Sequence, residues 1–345
     1  MPENQAHSVA VALVKDYQIV RFSKFGQPED VVHVERGTLH DELKAGQVLV
    51  KMLMASINPA DINTVQGVYG LQPDLPAVPG NEGVGIIEEV GEGIANFKVG
   101  QLVKIKEGLG CWRQYIVVTE DQLFSLPQEL EPEQASMLWV NPATAYRMLQ
   151  DFVDLQNGDW LIQNAANSGV GRAVIQIAKA KGWKTINVVR RPELIHELKE
   201  LGADWVIMDE PGFHKKIKAE FKKQGETLPK LGLNAVGGEN AHSVAKSLTA
   251  SGTIVTYGAM AKKPLQLANS LVIFNDLRVR GMWITQWYRN ANKADIFAML
   301  RELADLMLEG SLKISVEKIY DIAEVKEALI HAQRESRSGK ILLKF

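Results

Sequence analysis

The stretch Leu161–Gly171, LIQNAANSGVG, decides the fold. An apolar strand, Trp160–Asn164, runs through a turn of small residues into a helix over Val170–Ala180. A strand–turn–helix of this kind aims backbone N–H groups and a helix N-terminus at a pyrophosphate. The residues of the turn are small because a side chain there would block the phosphate. The G-x-G-x-x-G pattern is met only in part. Aligned on Gly171, its first two glycines become Ala166 and Ser168, with Gly169 just after. As a bare pattern this is weak, and an ordinary βα turn is the bland alternative. The strand before it and the helix after it support dinucleotide binding.

Working outward, the strand–helix alternation continues. Lys184–Val189 is a second strand and Leu194–Leu201 a helix with Gly202 just past its end. Asp204–Met208 is a third strand, and Leu231–Val236, Val244–Leu248 and Thr253–Tyr257 supply strand, helix and strand. Such alternation predicts a parallel sheet with helices on both faces. An NAD site carries Asp or Glu about 20 residues beyond the glycine turn, to accept from the ribose hydroxyls. Here that place holds Arg190 and Arg191. Two guanidinium groups suit a 2′-phosphate and offer no acceptor, which favours NADPH over NADH; the alternative is two exposed arginines.

The flanks differ in texture. Val48–Ala55 and Val84–Val90 read as strands, and glycines at 80, 83, 85, 91, 93 and 100 punctuate the region with turns. Glu131–Leu149 is helical in composition, with Pro142 interrupting it, and Ile296–Leu308 is an amphipathic helix. The tail returns to a strand, a helix (Ala323–Ala332) and a last strand, Lys340–Phe345. The expected layout is therefore an α/β domain over residues 137–310, inserted into a mostly β domain of residues 1–136 plus 311–345.

Composition narrows the partners. Of the 345 residues, 46% are hydrophobic and 23% charged, which excludes a disordered chain, a collagen-like fibre or a coiled-coil rod. With 39 Lys+Arg against 41 Asp+Glu there is no basic excess, so nucleic acid is not an expected partner. The apolar runs, such as Val9–Val14 and Leu271–Phe274, are too short to cross a bilayer. A single cysteine, Cys111, forbids an internal disulfide and a cysteine-rich zinc lobe. Met1–Lys15 has neither the arginines of a transit segment nor the apolar core of a secretory signal. The densest basic run, Phe213–Gln224, reads as a solvated helix face.

Along nearly its whole length the chain resembles the medium-chain dehydrogenases/reductases, and among them the mitochondrial trans-2-enoyl-thioester reductases. The stretches that carry the resemblance are Gln66–Val84, Asn141–Leu149, Ile162–Ile177, Val255–Lys263 and Gly281–Trp287. The resemblance implies a Rossmann-type cofactor domain inserted into a GroES-like catalytic domain, a mitochondrial location and a homodimer. Zinc-using members carry a Gly-His-Glu triplet, whereas this chain has Gly80-Asn81-Glu82; an amide is a poor zinc ligand beside imidazole or thiolate. No metal ligand is therefore expected, and hydride transfer to an activated C=C bond remains.

Saturating an enoyl thioester needs a hydride at the β-carbon, from NADPH, and a proton at the α-carbon. By resemblance Tyr69 is the proton donor, because a phenol holds its proton at neutral pH; on the residues alone a packed loop aromatic is the favoured reading. The resemblance also assigns cofactor contacts to Asn141, to Asn167, Ser168, Gly169 and Val170 around the diphosphate, to Tyr257, Gly258, Ala259 and Met260, and to Met282, Trp283 and Ile284. It makes Lys340 a lysine that closes over the cofactor. For Met282, Trp283 and Ile284 core packing is the alternative, and for Lys340 a surface position. Lys262, Lys263 and Arg289 are candidates to meet the phosphates of a CoA or acyl-carrier-protein substrate. An NADPH:quinone oxidoreductase and a non-catalytic NADPH-binding structural or sensor protein are the rival functions. Dimerisation is expected through Leu271–Ile284, read as an apolar strand region.

Overall fold

The computed structural model describes residues 15–39, 42–334 and 337–345, so the run Val9–Val14 and the segment Met1–Val14 lie outside the described residues. The chain divides into two compact units, one ending at Ser136 and resuming over Val316–Phe345, the other spanning Met137–Ser315. The second unit runs to Ser315 rather than 310 because the Gln176 side chain bonds both backbone groups of Lys313, at 2.8 and 3.1 Å.

The second unit is built on six parallel strands. Their spatial order is Trp205–Met208, Lys184–Val189, Trp160–Gln163, Leu231–Asn234, Thr253–Thr256 and Arg278–Gly281. In chain order this is 3-2-1-4-5-6, the doubly wound arrangement whose direction reverses between the first and fourth strands. The central strands are almost wholly buried, as expected where helices cover both faces. The basic helix Phe213–Gln224 buries Phe213, Ile217 and Phe221, spaced four apart, and leaves its lysines in water.

Two sequence expectations need correction here. Pro142 does not interrupt a helix; it sits in the first turn of Asn141–Gln150, where its missing N–H costs nothing. The region Leu271–Ile284 is not one apolar strand. Asn269–Asn275 is a helix closed by Asp276 at φ 49°, Arg278–Gly281 is a short strand, and Ile284–Asn290 is a further helix. A short apolar run does not distinguish helix from strand by period alone.

The first unit holds a seven-stranded, mainly antiparallel sheet and a separate hairpin of Lys15–Phe22 with Val32–Leu39. The last strand, Lys340–Lys344, runs parallel to Val316–Asp321 and antiparallel to Gln47–Ser56. That pairing brings the chain's end beside residues near position 56 and is why Lys340 lies next to the start of the helix Pro59–Val65.

Candidate functional site

In the second unit the turn after Trp160–Gln163 lies at the point where the strand order reverses. Ser168 caps the helix Gly169–Ala180 by accepting the Gly171 N–H at 3.1 Å. The left-handed position of the turn falls on Ala165, at φ 47°. Gly171 has no alternative: a Cβ there would lie 2.6 Å from the Ala166 carbonyl oxygen and 2.7 Å from that of Ala165. The Asn167 carbonyl accepts from Arg172 Nε at 3.1 Å, and the buried Arg172 pairs with Glu197 at 2.6 Å.

Amide side chains lock the floor of this crevice. Asn164 Nδ2 donates to Asn234 Oδ1 and Asn240 Oδ1, both at 2.7 Å, and Asn164 Oδ1 accepts the Ala235 N–H at 2.7 Å. Asn234 Oδ1 also accepts the N–H groups of Val236 and Gly237. None of these residues was singled out from the sequence, since an asparagine at a strand end reads like any turn residue.

The expected cofactor residues of this unit gather at the carboxyl ends of the strands. Asn141 is buried, and its side-chain oxygen lies 3.1 Å from where a Cβ on Gly169 would stand. Its segment is pinned by the Tyr288 hydroxyl, which donates to the Trp139 carbonyl at 2.8 Å. Arg190 and Arg191 follow the second strand directly; Arg190 is exposed and Arg191 lies 3.6 Å from Glu193. Tyr257–Met260 leaves the fifth strand, with the Tyr257 and Met260 N–H groups held by Asn234 and Ala235 carbonyls. Met282 and Ile284 are buried, and the half-buried Trp283 opens the following helix. Lys262, Lys263 and Arg289 are all exposed.

One atom tests whether the crevice suits a ligand. The Tyr257 hydroxyl oxygen is buried and, among the described residues, makes no hydrogen bond of normal geometry. It faces the Ser168 hydroxyl, and burial pushes the phenol above its usual range. A buried, unsatisfied hydroxyl beside a helix N-terminus fits a polar ligand that supplies the missing bond.

The first unit holds a buried polar cluster around Gly80-Asn81-Glu82. Ser56 and Asn58 Nδ2 donate to Glu82 Oε1, at 2.5 and 2.7 Å. Asp61 accepts the Asn58 N–H at 2.7 Å on one oxygen, and the Asn81 N–H and Nδ2 at 2.8 and 2.7 Å on the other. Lys340 Nζ donates to Asn58 Oδ1. Lys340 is thus not a surface lysine; it is 8% exposed. Burial lowers its pKa to about 8 against the pull of Glu82 and Asp61. Burial likewise raises Asp61 to about 6, against bonds from Asn58 and Asn81. Because the folded value lies above the unfolded one, the cost appears as pH rises through about 4 to 6. Holding the carboxylate ionised at neutral pH costs about 3 kcal/mol.

This donor set does not fit a zinc ion. The residue facing Asp61 is an amide, Asn58 is a second amide, and an ammonium already balances the carboxylates. Cys111 is buried, with its thiol pKa raised by burial. Among the described residues no group of three or more His, Cys, Asp or Glu could hold a metal.

Tyr69 follows the helix Pro59–Val65. Its N–H and that of Val68 both donate to the Asn63 carbonyl, at 3.2 and 2.9 Å, and Gly67 turns the chain at φ 76°. The residue is half-buried, whereas Val68 before it is 71% exposed.

Comparison with known proteins decides the family. The zinc-binding dehydrogenase family model matches residues 169–305, and the alcohol dehydrogenase GroES-like domain model matches residues 44–128. A mitochondrial enoyl-[acyl-carrier-protein] reductase of Dictyostelium discoideum is 38% identical over 96% of this chain and 97% of its own length. The chain belongs to the mitochondrial enoyl-[acyl-carrier-protein] reductases. Among solved structures similar to this reductase-family chain is the Etr1p complex with NADP and crotonyl-CoA, at 32% identity and TM-score 0.89, covering 96% of this chain and all (100%) of that one. Another is the 2-enoyl thioester reductase Etr1p/Etr2p heterodimer of Candida tropicalis, at 32% identity and TM-score 0.88 with the same coverage, 96% and 100%.

Proposed function

We propose that this protein reduces trans-2-enoyl thioesters, carried on CoA or acyl-carrier protein, with NADPH in mitochondrial fatty-acid synthesis. The observation that carries the reading is the cluster at Gly80–Glu82: amides and an ammonium stand where a Lewis acid would need ligands. The chemistry therefore runs without zinc. NADPH, when bound, supplies the hydride for the β-carbon. Asn141, Asn167, Ser168, Gly169, Val170, Tyr257, Gly258, Ala259, Met260, Met282, Trp283 and Ile284 hold and orient it. Arg190 and Arg191 take the 2′-phosphate, and Lys340, kept ready by Asn58, is a further cation for the cofactor. Tyr69 gives its proton to the α-carbon as the enolate collapses.

The test follows NADPH absorbance with crotonyl-CoA, a longer trans-2-enoyl-CoA and a quinone in parallel. Oxidation with the thioesters and none with the quinone is expected. Turnover with the quinone alone selects the rival oxidoreductase, and no turnover with any of the three selects a binding protein. Arg190→Ala/Arg191→Ala is expected to raise KM for NADPH about 10- to 100-fold, the worth of the lost charged bonds, and to leave KM for NADH unchanged.

The pairing of the similar Etr1p and Etr2p chains in a heterodimer and the exposed edge of the six-stranded sheet both support assembly, and the protein is proposed to be a homodimer. All four residues of the edge strand Arg278–Gly281 are exposed, and in the helix just before it in sequence Ile273 and Phe274 are 68% and 80% exposed. Apolar side chains next to an unpaired strand edge mark an interface. Phe274→Asp is expected to convert the dimer to a monomer in light scattering while leaving NADPH affinity intact. An unchanged mass would remove this surface from the interface.

A further inference from the structure

The polar cluster contains a carboxylate that the reduction does not consume. Resting on the assignment of Tyr69 as proton donor, we infer that Asp61 is a positioning residue for that donor. It staples the first turn of the helix Pro59–Val65 to the loop at Asn81, while the last turn of the same helix carries the Tyr69 backbone.

The geometry is specific at both ends. The three partners of the Asp61 carboxylate (the Asn58 N–H, the Asn81 N–H and Asn81 Nδ2) are all donors, so the side chain is called on to accept at both oxygens. An amide in its place would turn one N–H toward another. At the far end the Asn63 carbonyl accepts from both Val68 and Tyr69, and Gln66 N–H donates to Ile62. Asp61 and Asn63 lie within one helical turn. A shift of the first turn therefore passes to the carbonyl that holds Tyr69, with no flexible segment between to absorb it.

The surroundings point the same way. Asp61 is 1% exposed, with Glu82 and Lys340 facing it and Cys111 and Lys104 in the same electrostatic neighbourhood; Arg337 in turn faces Lys340. An apolar residue of similar size would fill the space without the desolvation penalty. What the carboxylate provides, and a hydrophobic residue does not, is three directed bonds at one point of the chain.

Asp61→Asn and Asn81→Ala are to be compared with the wild type and Tyr69→Phe in the intact protein. The readouts are kcat and KM with crotonyl-CoA, NADPH affinity by fluorescence titration, melting temperature, and kinetic isotope effects. Asp61→Asn is expected to lower kcat about 10- to 100-fold, as a displaced proton donor would, with NADPH affinity within about twofold. The solvent isotope effect on kcat should rise in D2O, and the effect of 4-deuterated NADPH should shrink, because proton delivery becomes the slow step. Asn81→Ala, which leaves the carboxylate but removes one donor, should move both isotope effects the same way by less.

A folded Asp61→Asn with wild-type kcat, or with lower kcat and unaltered isotope effects, overturns the inference. If Asp61→Asn does not fold, Asn81→Ala decides by the same readouts. Should Tyr69→Phe turn over like wild type, the donor assignment falls and this inference with it. Loss in Tyr69→Phe with no change in either cluster variant removes the inference alone.

Discussion

Tyr69→Phe is expected to lower kcat with crotonyl-CoA by about two to four orders of magnitude, the usual contribution of a positioned general acid. NADPH affinity should stay at the wild-type value, because Tyr69 is assigned to the substrate's proton and to no cofactor contact. The substitution removes one oxygen from a half-buried side chain on a turn held by Asn63, so the fold should survive it. A pre-steady-state trace would sharpen the result: hydride transfer should still be visible as fast loss of NADPH absorbance in a first turnover, followed by slow protonation from water. Turnover within about threefold of wild type would exclude Tyr69 as the donor.

The second large effect is expected at Gly171→Ala. The new Cβ would meet two backbone carbonyl oxygens of the turn, at 2.6 and 2.7 Å, and the carbonyl carbon of Ala166 at 2.7 Å. No side chain can swing aside, so the turn and the helix N-terminus must part. Gln163 Nε2, which donates to the Gly171 carbonyl at 2.9 Å and to Asn187 at 2.8 Å, would lose its geometry as well. NADPH affinity should fall by at least about 100-fold, roughly 3 kcal/mol, with a lowered melting temperature. Gly169→Ala is the internal comparison for packing strain, since the atoms nearest its Cβ belong to the Asn141 side chain, from 3.1 Å, and its melting temperature should fall far less. An equal fall in melting temperature in the two variants would show that close backbone packing at Gly171 does not hold the turn.

Much of the second unit was legible because its signals are local. The strand Lys184–Val189 and the helix that starts at the Ser168 cap announce themselves by β-branched runs, small turn residues and glycine stops. Where signals conflict, reading fails. The run at Leu271–Phe274 is apolar enough for a strand, but it forms a helix whose outer face is apolar too, so composition alone misdirects. The cluster around Asp61 was illegible for another reason. It joins residues 56, 58, 61, 81, 82 and 340, which come together only because Gln47–Ser56 pairs with Gly83–Val90 on one side and with the final strand on the other. A partial hint was present in Asn58-Pro59-Ala60-Asp61, a capping box with proline in the first turn, which marks a helix start but not its buried surroundings. Resemblance supplied Tyr69, and the residues alone did not separate a donor from a packed aromatic.

The asparagine clasp across the reversal of strand order has a consequence for how a ligand is met. Asn164, Asn234 and Asn240 satisfy one another and fix the Ala235–Gly237 backbone within the protein itself. An incoming molecule therefore encounters a preorganised cradle, and little rotational freedom of loops is frozen on arrival. Affinity is then governed by how well the visitor's own groups match fixed positions, which favours sharp discrimination between near-identical nucleotides over adaptive fit.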